Sequence, residues 1–335
     1  MPFFSASKGE GAFYLDRKER AWYNFLMEKI AQSVTQLIGN TPLLELSRLA
    51  RKVCPNVRLL AKIERNNPAG SSKDRVALAI LEDAEEKGLL CPSTVLIEPT
   101  SGNTGVALAM LASVKGYRAI VVMPENASEE RKTLVKAYGA ELVLSPASEG
   151  MKGAIERAET LKNSLPSALI LGQFTNACNP LAHYQTTGVE IWRDTAGKVD
   201  AFVCGIGTGG TLSGVGKYLK EQNADVKVFG VEPASSPVLT AGKGGAHGIQ
   251  GIGAGFVPET LDKSLLDGVL TVTDEEAYEY ARLLAKKEGV LAGISSGAAV
   301  AGAVKVAANE EFRGKTVVVL LPDTGERYLS TDLYK

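Results

Sequence analysis

The chain has 335 residues, 45% of them apolar and 22% charged, with a formal net charge of −1. That length exceeds what one hydrophobic core usually organises, so two domains, or one large domain with an embedded subdomain, are expected. The near-zero charge gives no electrostatic case for nucleic acid or an anionic membrane, and the longest apolar runs, such as 317–321, are far too short to span a bilayer.

At the amino terminus Lys8 and Glu10 interrupt the start and no apolar stretch follows, so no secretory leader is expected. A mixed aromatic and charged run, 13–25, reads as a helix or an unpacked arm ahead of Met27, a candidate alternative start. The four cysteines (Cys54, Cys91, Cys178, Cys204) lack metal or redox spacing, and two histidines do not supply a zinc site. Reduced thiols in a cytoplasmic protein are the expectation.

From residue 57 onward, short apolar runs alternate with helical stretches. The predicted strands are 57–63, 94–98, 118–123, 141–144, 168–171, 201–204, 226–231 and 316–321. Nearly continuous hydrophobicity suits strands buried on both faces of a parallel sheet. The predicted helices are 74–87, 104–115, 129–138, 150–164, 181–195, 212–222, 274–287 and 296–308, with Ser128 and Asp274 read as caps. This alternation means an α/β fold with crossover helices, whose ligands sit beyond the carboxyl ends of the strands.

Four loops stand out, the first three of them strand-to-helix as that rule asks. The first is Asn66-Asn67-Pro68-Ala69-Gly70-Ser71-Ser72-Lys73-Asp74-Arg75. It places Lys73 in the first turn of a helix, where the dipole disfavours an ammonium and suits a Schiff-base amine; an exposed lysine is the plainer alternative. The second, Thr100-Ser101-Gly102-Asn103-Thr104-Gly105, offers hydroxyls and free backbone N–H groups for a carboxylate or phosphate, or is an ordinary capped turn. The third, Gly205-Ile206-Gly207-Thr208-Gly209-Gly210-Thr211, fits G-x-G-x-x-G with Glu232 ending the next strand, so a dinucleotide and a single phosphate are both open. The fourth, Gly293-Ile294-Ser295-Ser296-Gly297, has the outline of a nucleophile elbow. That hydrolase order needs a histidine after the serine, and His183 and His247 both precede it. A glycine-rich stretch, 242–255, reads as a site loop rather than a tether.

Taken in order, these loops resemble the cysteine synthase (O-acetylserine sulfhydrylase) family of fold-type II pyridoxal-phosphate (PLP) enzymes. The resemblance runs from Ile38-Gly39-Asn40-Thr41-Pro42-Leu43, through Gln250-Gly251-Ile252-Gly253-Ala254-Gly255-Phe256, to Asp323-Thr324-Gly325-Glu326-Arg327-Tyr328. It implies an α/β fold of two domains with mostly parallel sheets, like the tryptophan synthase β chain. By the same resemblance, 77–177 forms a smaller mobile domain, 42–76 with 178–335 a larger one, and 1–41 an amino-terminal extension and arm. Lys73 is implied to bind PLP covalently and to move the substrate α-proton. Asn103 is implied to bond the cofactor's ring hydroxyl, with Gly207, Thr208, Gly209, Gly210 and Thr211 on its phosphate and Ser295 facing its pyridine nitrogen. Thr100, Ser101, Asn103, Thr104 and Gln173 are the implied substrate-binding set. A neutral serine makes the ring a weaker electron sink than an aspartate would, which suits β-elimination better than transamination.

The implied reaction is loss of acetate from O-acetylserine to give an aminoacrylate, followed by addition of sulfide. Cysteine desulfhydration, or formation of cystathionine or lanthionine, is the alternative, and a nicotinamide oxidoreductase is a remote one. A homodimer is implied, as is possible binding of the serine acetyltransferase carboxyl-terminal tail; neither nucleic acid, nor membrane, nor metal is expected. Ser72, Asn126-Ala127, Ala177-Cys178 and 243–248 depart from the commonest family pattern. Most of these are expected around the substrate mouth rather than the cofactor.

Overall fold

The computed structural model describes residues 30–335. The run 13–25 and Met27 lie outside those residues. Ten strands follow in chain order: β1 (Leu43–Glu45), β2 (Arg58–Ile63), β3 (Val95–Pro99), β4 (Arg118–Pro124), β5 (Glu141–Ser145), β6 (Ala168–Ile170), β7 (Ala201–Gly205), β8 (Lys227–Pro233), β9 (Gly268–Val272) and β10 (Thr316–Leu321). They form a six-stranded sheet in the order β1-β2-β10-β7-β8-β9 and a four-stranded sheet in the order β5-β4-β3-β6. Every pairing is parallel except that of β1 with β2.

The central strands are largely buried, β3 and β10 at every residue, because helices cover both faces of each sheet. Two strands escaped the sequence reading, and both are edges. β1 is three residues long, too short to show a period, and β9 has only Val272 fully buried.

The helices that concern the site are α1 (Ser47–Val53), α2 (Lys73–Glu86), α3 (Asn103–Lys115), α4 (Glu129–Ala137), α5 (Gly150–Ser164), α6 (Cys178–Ala182), α7 (Val189–Asp194), α8 (Gly210–Gln222), α9 (Val238–Ala241), α10 (Asp274–Leu283) and α11 (Ile294–Ala307). The single helix expected over 181–195 is three pieces, with a π turn at His183–Gly188 between α6 and α7. Close packing accompanies the break. A Cβ at Gly188 would lie 2.8 Å from Tyr218 Cβ, and one at Gly214 would lie 2.1 Å from the Pro180 carbonyl oxygen.

Of the two expected caps, Ser128 holds the N-cap position and Asp274 does not. α10 is capped by Thr273, whose Oγ1 accepts from the Glu276 N–H while the Glu276 carboxylate accepts from the Thr273 N–H. Asp274 instead accepts from the Gly248 N–H at 2.6 Å and so pins the glycine-rich loop. Ser128 stands at the N-cap position of α4 without a capping bond; its hydroxyl accepts from Arg131 Nη1.

The loops after β2, β3, β7 and β10 all open at the carboxyl ends of parallel strands. This is where an α/β sheet binds ligands.

Candidate active site

Lys73 opens α2, and the loop before it is tightly held. Asp74 Oδ2 accepts from the Ala69 N–H at 2.6 Å, Ser71 Oγ accepts from the Lys73 N–H, and the Ser72 N–H donates to the Pro322 carbonyl. Burial pushes the Lys73 amine below its ordinary range, against the partial opposition of Cys204, Asp323, Glu64 and Asp74. A lysine kept from full hydration is a better nucleophile and a readier proton carrier. Burial likewise pushes Asp74 up to about 7, although the Ala69 N–H and Arg327 oppose it.

Behind Lys73, Arg75 is sunk between two glutamates. Its guanidinium donates to Glu64 (2.8 and 2.9 Å), to Glu190 (2.7 and 2.8 Å) and to Thr41 Oγ1. Buried Lys62 reaches Glu190 at 2.7 Å, so two cations and two anions balance. This cluster ties α2 to β2 and α7 and fixes the direction in which α2 leaves its loop.

The second loop follows β3. Thr100 Oγ1 accepts from the Gly102 N–H, and Thr104 Oγ1 donates to Gln173 Oε1 at 2.6 Å. Gln173 comes from the loop after β6, where Glu98 accepts from the Gly172 N–H. Burial pushes Glu98 up to about 8, opposed by hydrogen bonds from Gly172 and Gln173. Thr100, Thr104 and Gln173 are buried, whereas Ser101 is exposed.

The third loop leads from β7 into α8. A Cβ at Gly207 would lie 2.4 Å from the Gly251 carbonyl oxygen, so only glycine lets this turn meet the Gln250 loop. Gly209, at φ +84°, needs its left-handed conformation to open α8. The Thr208 hydroxyl accepts from Asn179 Nδ2, and Thr211 Oγ1 pairs with His183 Nε2, whose other ring nitrogen meets Thr187 Oγ1. Burial pushes His183 down to about 3, so the ring is neutral and positions Thr211 without adding charge. The G-x-G-x-x-G pattern lacks a free acidic partner: Glu232 is buried and accepts from the Leu239 N–H, the Thr240 N–H and Thr240 Oγ1.

One cavity joins the first and third of these loops, lined by Lys73, Gly207, Thr208, Gly209, Thr211 and Gly251, together with Ser72 and Cys204. Gly210 turns toward Asn179 instead. Ser295, buried near the start of α11, reaches the cavity wall at Gly251, where a Cβ would lie 3.4 Å from its hydroxyl. Asn103 stands at the start of α3, with its carboxamide held by Asp323 and Arg327.

Not all the sequence departures lie at a mouth. Ser72 is buried in the cavity wall beside Lys73. Cys178 is buried in the core formed with α2 and α3. Arg131 was missed altogether. It is fully buried, donates from Nη1 to Gln250 Oε1 at 2.6 Å and stacks 4.6 Å over the Tyr328 ring. Its run, Glu129-Glu130-Arg131-Lys132, reads as a solvated helix face, so no local signal marks it.

The donor set fits an aldehyde-bearing phosphate monoester. A lysine amine whose pKa burial lowers shares the cavity lining with the amino terminus of α8 and two threonines. Among the described residues no cluster of His, Cys, Asp and Glu could hold a metal ion, and no helix is long and apolar enough to cross a membrane.

Comparison with known proteins agrees with that chemistry. The family model described as pyridoxal-phosphate dependent enzyme matches residues 34–323, so the chain belongs to that family and uses pyridoxal phosphate. Cysteine synthase A of Escherichia coli K12 is 50% identical over 317 residues, covering 92% of this chain and 97% of that protein. Among solved structures, cysteine synthase of Entamoeba histolytica is 41% identical with a TM-score of 0.88, over 97% of this chain and 94% of that one. A hydrogen sulfide-producing enzyme from Fusobacterium nucleatum is 45% identical with a TM-score of 0.86, over 90% of this chain and all of that one.

Proposed function

We propose that this protein is a cysteine synthase, replacing the acetate of O-acetylserine by sulfide at Cβ. The observation that carries the reading is the cavity lined both by Lys73 and by residues of the Gly207–Thr211 turn, with Thr104 bonded to Gln173 at the carboxyl ends of the smaller sheet's strands. Pyridoxal phosphate, when bound, supplies the electron sink that labilises the Cα–H bond. Lys73 Nζ holds the cofactor and then takes the proton from substrate Cα. Gly207, Thr208, Gly209, Gly210 and Thr211 hold the phosphate, Asn103 the ring hydroxyl, and Ser295 the ring nitrogen. Thr100, Ser101, Asn103, Thr104 and Gln173 bind the substrate, and their amides and hydroxyls orient its carboxylate so that the Cα–H faces Lys73.

The segment 77–177 acts as a smaller domain that closes over 42–76 and 178–335 and excludes water from the reacting carbon. Polar bonds such as Glu130 to Ser330 and Arg131 to Gln250 cross that seam, which suits a reversible contact. The enzyme works in the cytoplasm as a homodimer and takes the carboxyl-terminal tail of serine acetyltransferase in its carboxylate site. Sedimentation and pull-down with that partner test these assignments.

The test of the main reading is the visible spectrum of the purified protein before and after O-acetylserine, alongside Lys73→Ala. A yellow band that shifts with substrate and is lost or altered in the variant supports it. A colourless protein that takes up no added pyridoxal phosphate refutes it. The resemblance to the sulfide-producing Fusobacterium enzyme favours a second reading, release of sulfide from cysteine. Product analysis with sulfide, homocysteine and cysteine as competing nucleophiles separates the two.

A further inference from the structure

The closing motif, residues 322–328, has no part in the reading above, yet it touches three of the four site loops. The Pro322 carbonyl accepts from the Ser72 N–H beside Lys73, and the Thr324 N–H donates to Gly70 on the same loop. The Asp323 carbonyl accepts from the Gly293 N–H, and the Gly325 N–H donates to Leu291, both at the approach to Ser295. Side chains complete the set. Asp323 Oδ2 accepts from Asn103 Nδ2 at 2.8 Å, and Arg327 Nη1 donates to Asn103 Oδ1.

Those two bonds leave the carboxamide one orientation. A carboxylate only accepts and a guanidinium only donates. A flipped amide would set its oxygen against Asp323 and its NH2 against Arg327, two repulsive contacts in place of two charge-assisted bonds. The second hydrogen on Nδ2 then remains for a ligand acceptor. Asp323 and Arg327 are themselves buried, and each leaves one polar atom, Oδ1 and Nε, without a partner. A buried pair left partly unsatisfied is costly, and such groups gather where function needs them.

We propose that Asp323 and Arg327 are positioning residues that fix Asn103 with an N–H, rather than its oxygen, toward the ring hydroxyl of the cofactor. The inference rests on the reading of Asn103 given above and extends it to two residues more than 200 positions away in the chain.

The experiment is titration of cofactor-free protein with pyridoxal phosphate, followed by the visible band of the complex and by the thermal midpoint of the cofactor-free form. Asn103→Ala is expected to weaken cofactor affinity on the order of tenfold, and Asp323→Ala by about three- to tenfold. Asp323→Asn, whose carbonyl can still accept from Nδ2, is expected to recover most of that loss. In the Asn103→Ala background, Asp323→Ala should add less than about twofold, because the amide it orients is gone. Arg327→Gln is the second variant, expected to weaken affinity in the same direction should Asp323→Ala fail to fold. Tyr328→Phe removes the other hydrogen bond to Asp323 Oδ2 and leaves Asn103 alone, so it should leave affinity within about twofold. Equal losses for Asp323→Ala with and without Asn103, or a Tyr328→Phe variant that matches Asp323→Ala, would overturn the clamp and leave the role of Asn103 standing. An Asn103→Ala protein with unchanged affinity and unchanged band would overturn the role of Asn103, and the clamp with it.

Discussion

Replacing Arg75 by methionine keeps an unbranched apolar stem, shortens the side chain and removes the guanidinium between Glu64 and Glu190. Lys62 then faces both carboxylates alone, and the buried cluster passes from balanced to a net negative charge. Burial by itself would raise Glu64, but the charge and hydrogen bonds of Arg75, with help from Thr41 and Lys62, hold it at about 2 instead of 4.5. A drop of that size corresponds to roughly 3 kcal/mol of stability at neutral pH. Stranding the partner charges of a buried pair typically costs about 3–5 kcal/mol, so the two routes agree. The sign with pH follows. In the native protein the Glu64 contribution is complete above 4.5 and is lost as pH falls toward 2. In Arg75→Met, burial goes largely unopposed, Glu64 takes up a proton above its ordinary value, and acid relieves the variant. Equilibrium urea unfolding should therefore give a gap of about 3–5 kcal/mol near pH 7.5 that narrows by about half near pH 4. A gap below about 1 kcal/mol, or one that does not change with pH, would refute the assignment of this cluster as the anchor of α2.

Three further outcomes can be checked. Glu98, pushed up to about 8 by burial, is largely protonated at neutral pH, so native stability falls as pH rises from 4.5 through 8. Glu98→Gln should change stability by less than about 1 kcal/mol at neutral pH and remove that alkaline fall, read as thermal midpoints across the range. Thr273→Ala breaks the capping box of α10 and should cost about 1 kcal/mol in urea unfolding with activity retained. Gly297→Ala should cost about 3 kcal/mol and loosen α11, because the new Cβ would lie 1.9 Å from the Ala277 carbonyl oxygen and 2.6 Å from the Ala281 nitrogen. Hydrogen exchange at α10 and α11 reads that loosening directly.

The parallel sheets were legible because burial on both faces writes itself into the sequence as unbroken apolar runs. Thr316–Leu321 and Arg118–Pro124 are such runs, and both were found close to their observed ends. The signal fails where only part of a strand is covered, as in β9, or where a pairing needs just three residues, as in β1. It also fails inside helices. The π turn at His183–Gly188 keeps helical periodicity on either side, and the contacts of Gly188 with Tyr218 and of Gly214 with the Pro180 carbonyl are tertiary facts. Asp274 illustrates a narrower miss. Thr273-Asp274 offers two capping residues in a row, and the box formed with Glu276 selects the first, freeing the second to hold the Gly248 amide.

The site divides along the same line. Loops that carry chemistry on their backbone announce themselves by glycine, and Gly207–Thr211 and the Lys73 loop were both read from that punctuation. Residues that aim another residue leave no such mark. Arg131 is one cation in a charged helical run, and nothing near it foretells that it will be fully buried between Gln250 and Tyr328. Asp323 follows a strand like many loop acids, and its partner Asn103 opens α3, after β3 of the other sheet. What joins them is topology. β10 lies beside both β2 and β7 in the larger sheet, so the loop that follows it emerges next to the lysine loop and near the Gly207–Thr211 turn at once. From that position its side chains reach across to Asn103, at the start of the helix that follows β3 of the smaller sheet. A motif at the end of the chain can therefore orient a group near its beginning, and the strand order of the sheet makes that connection where local sequence cannot.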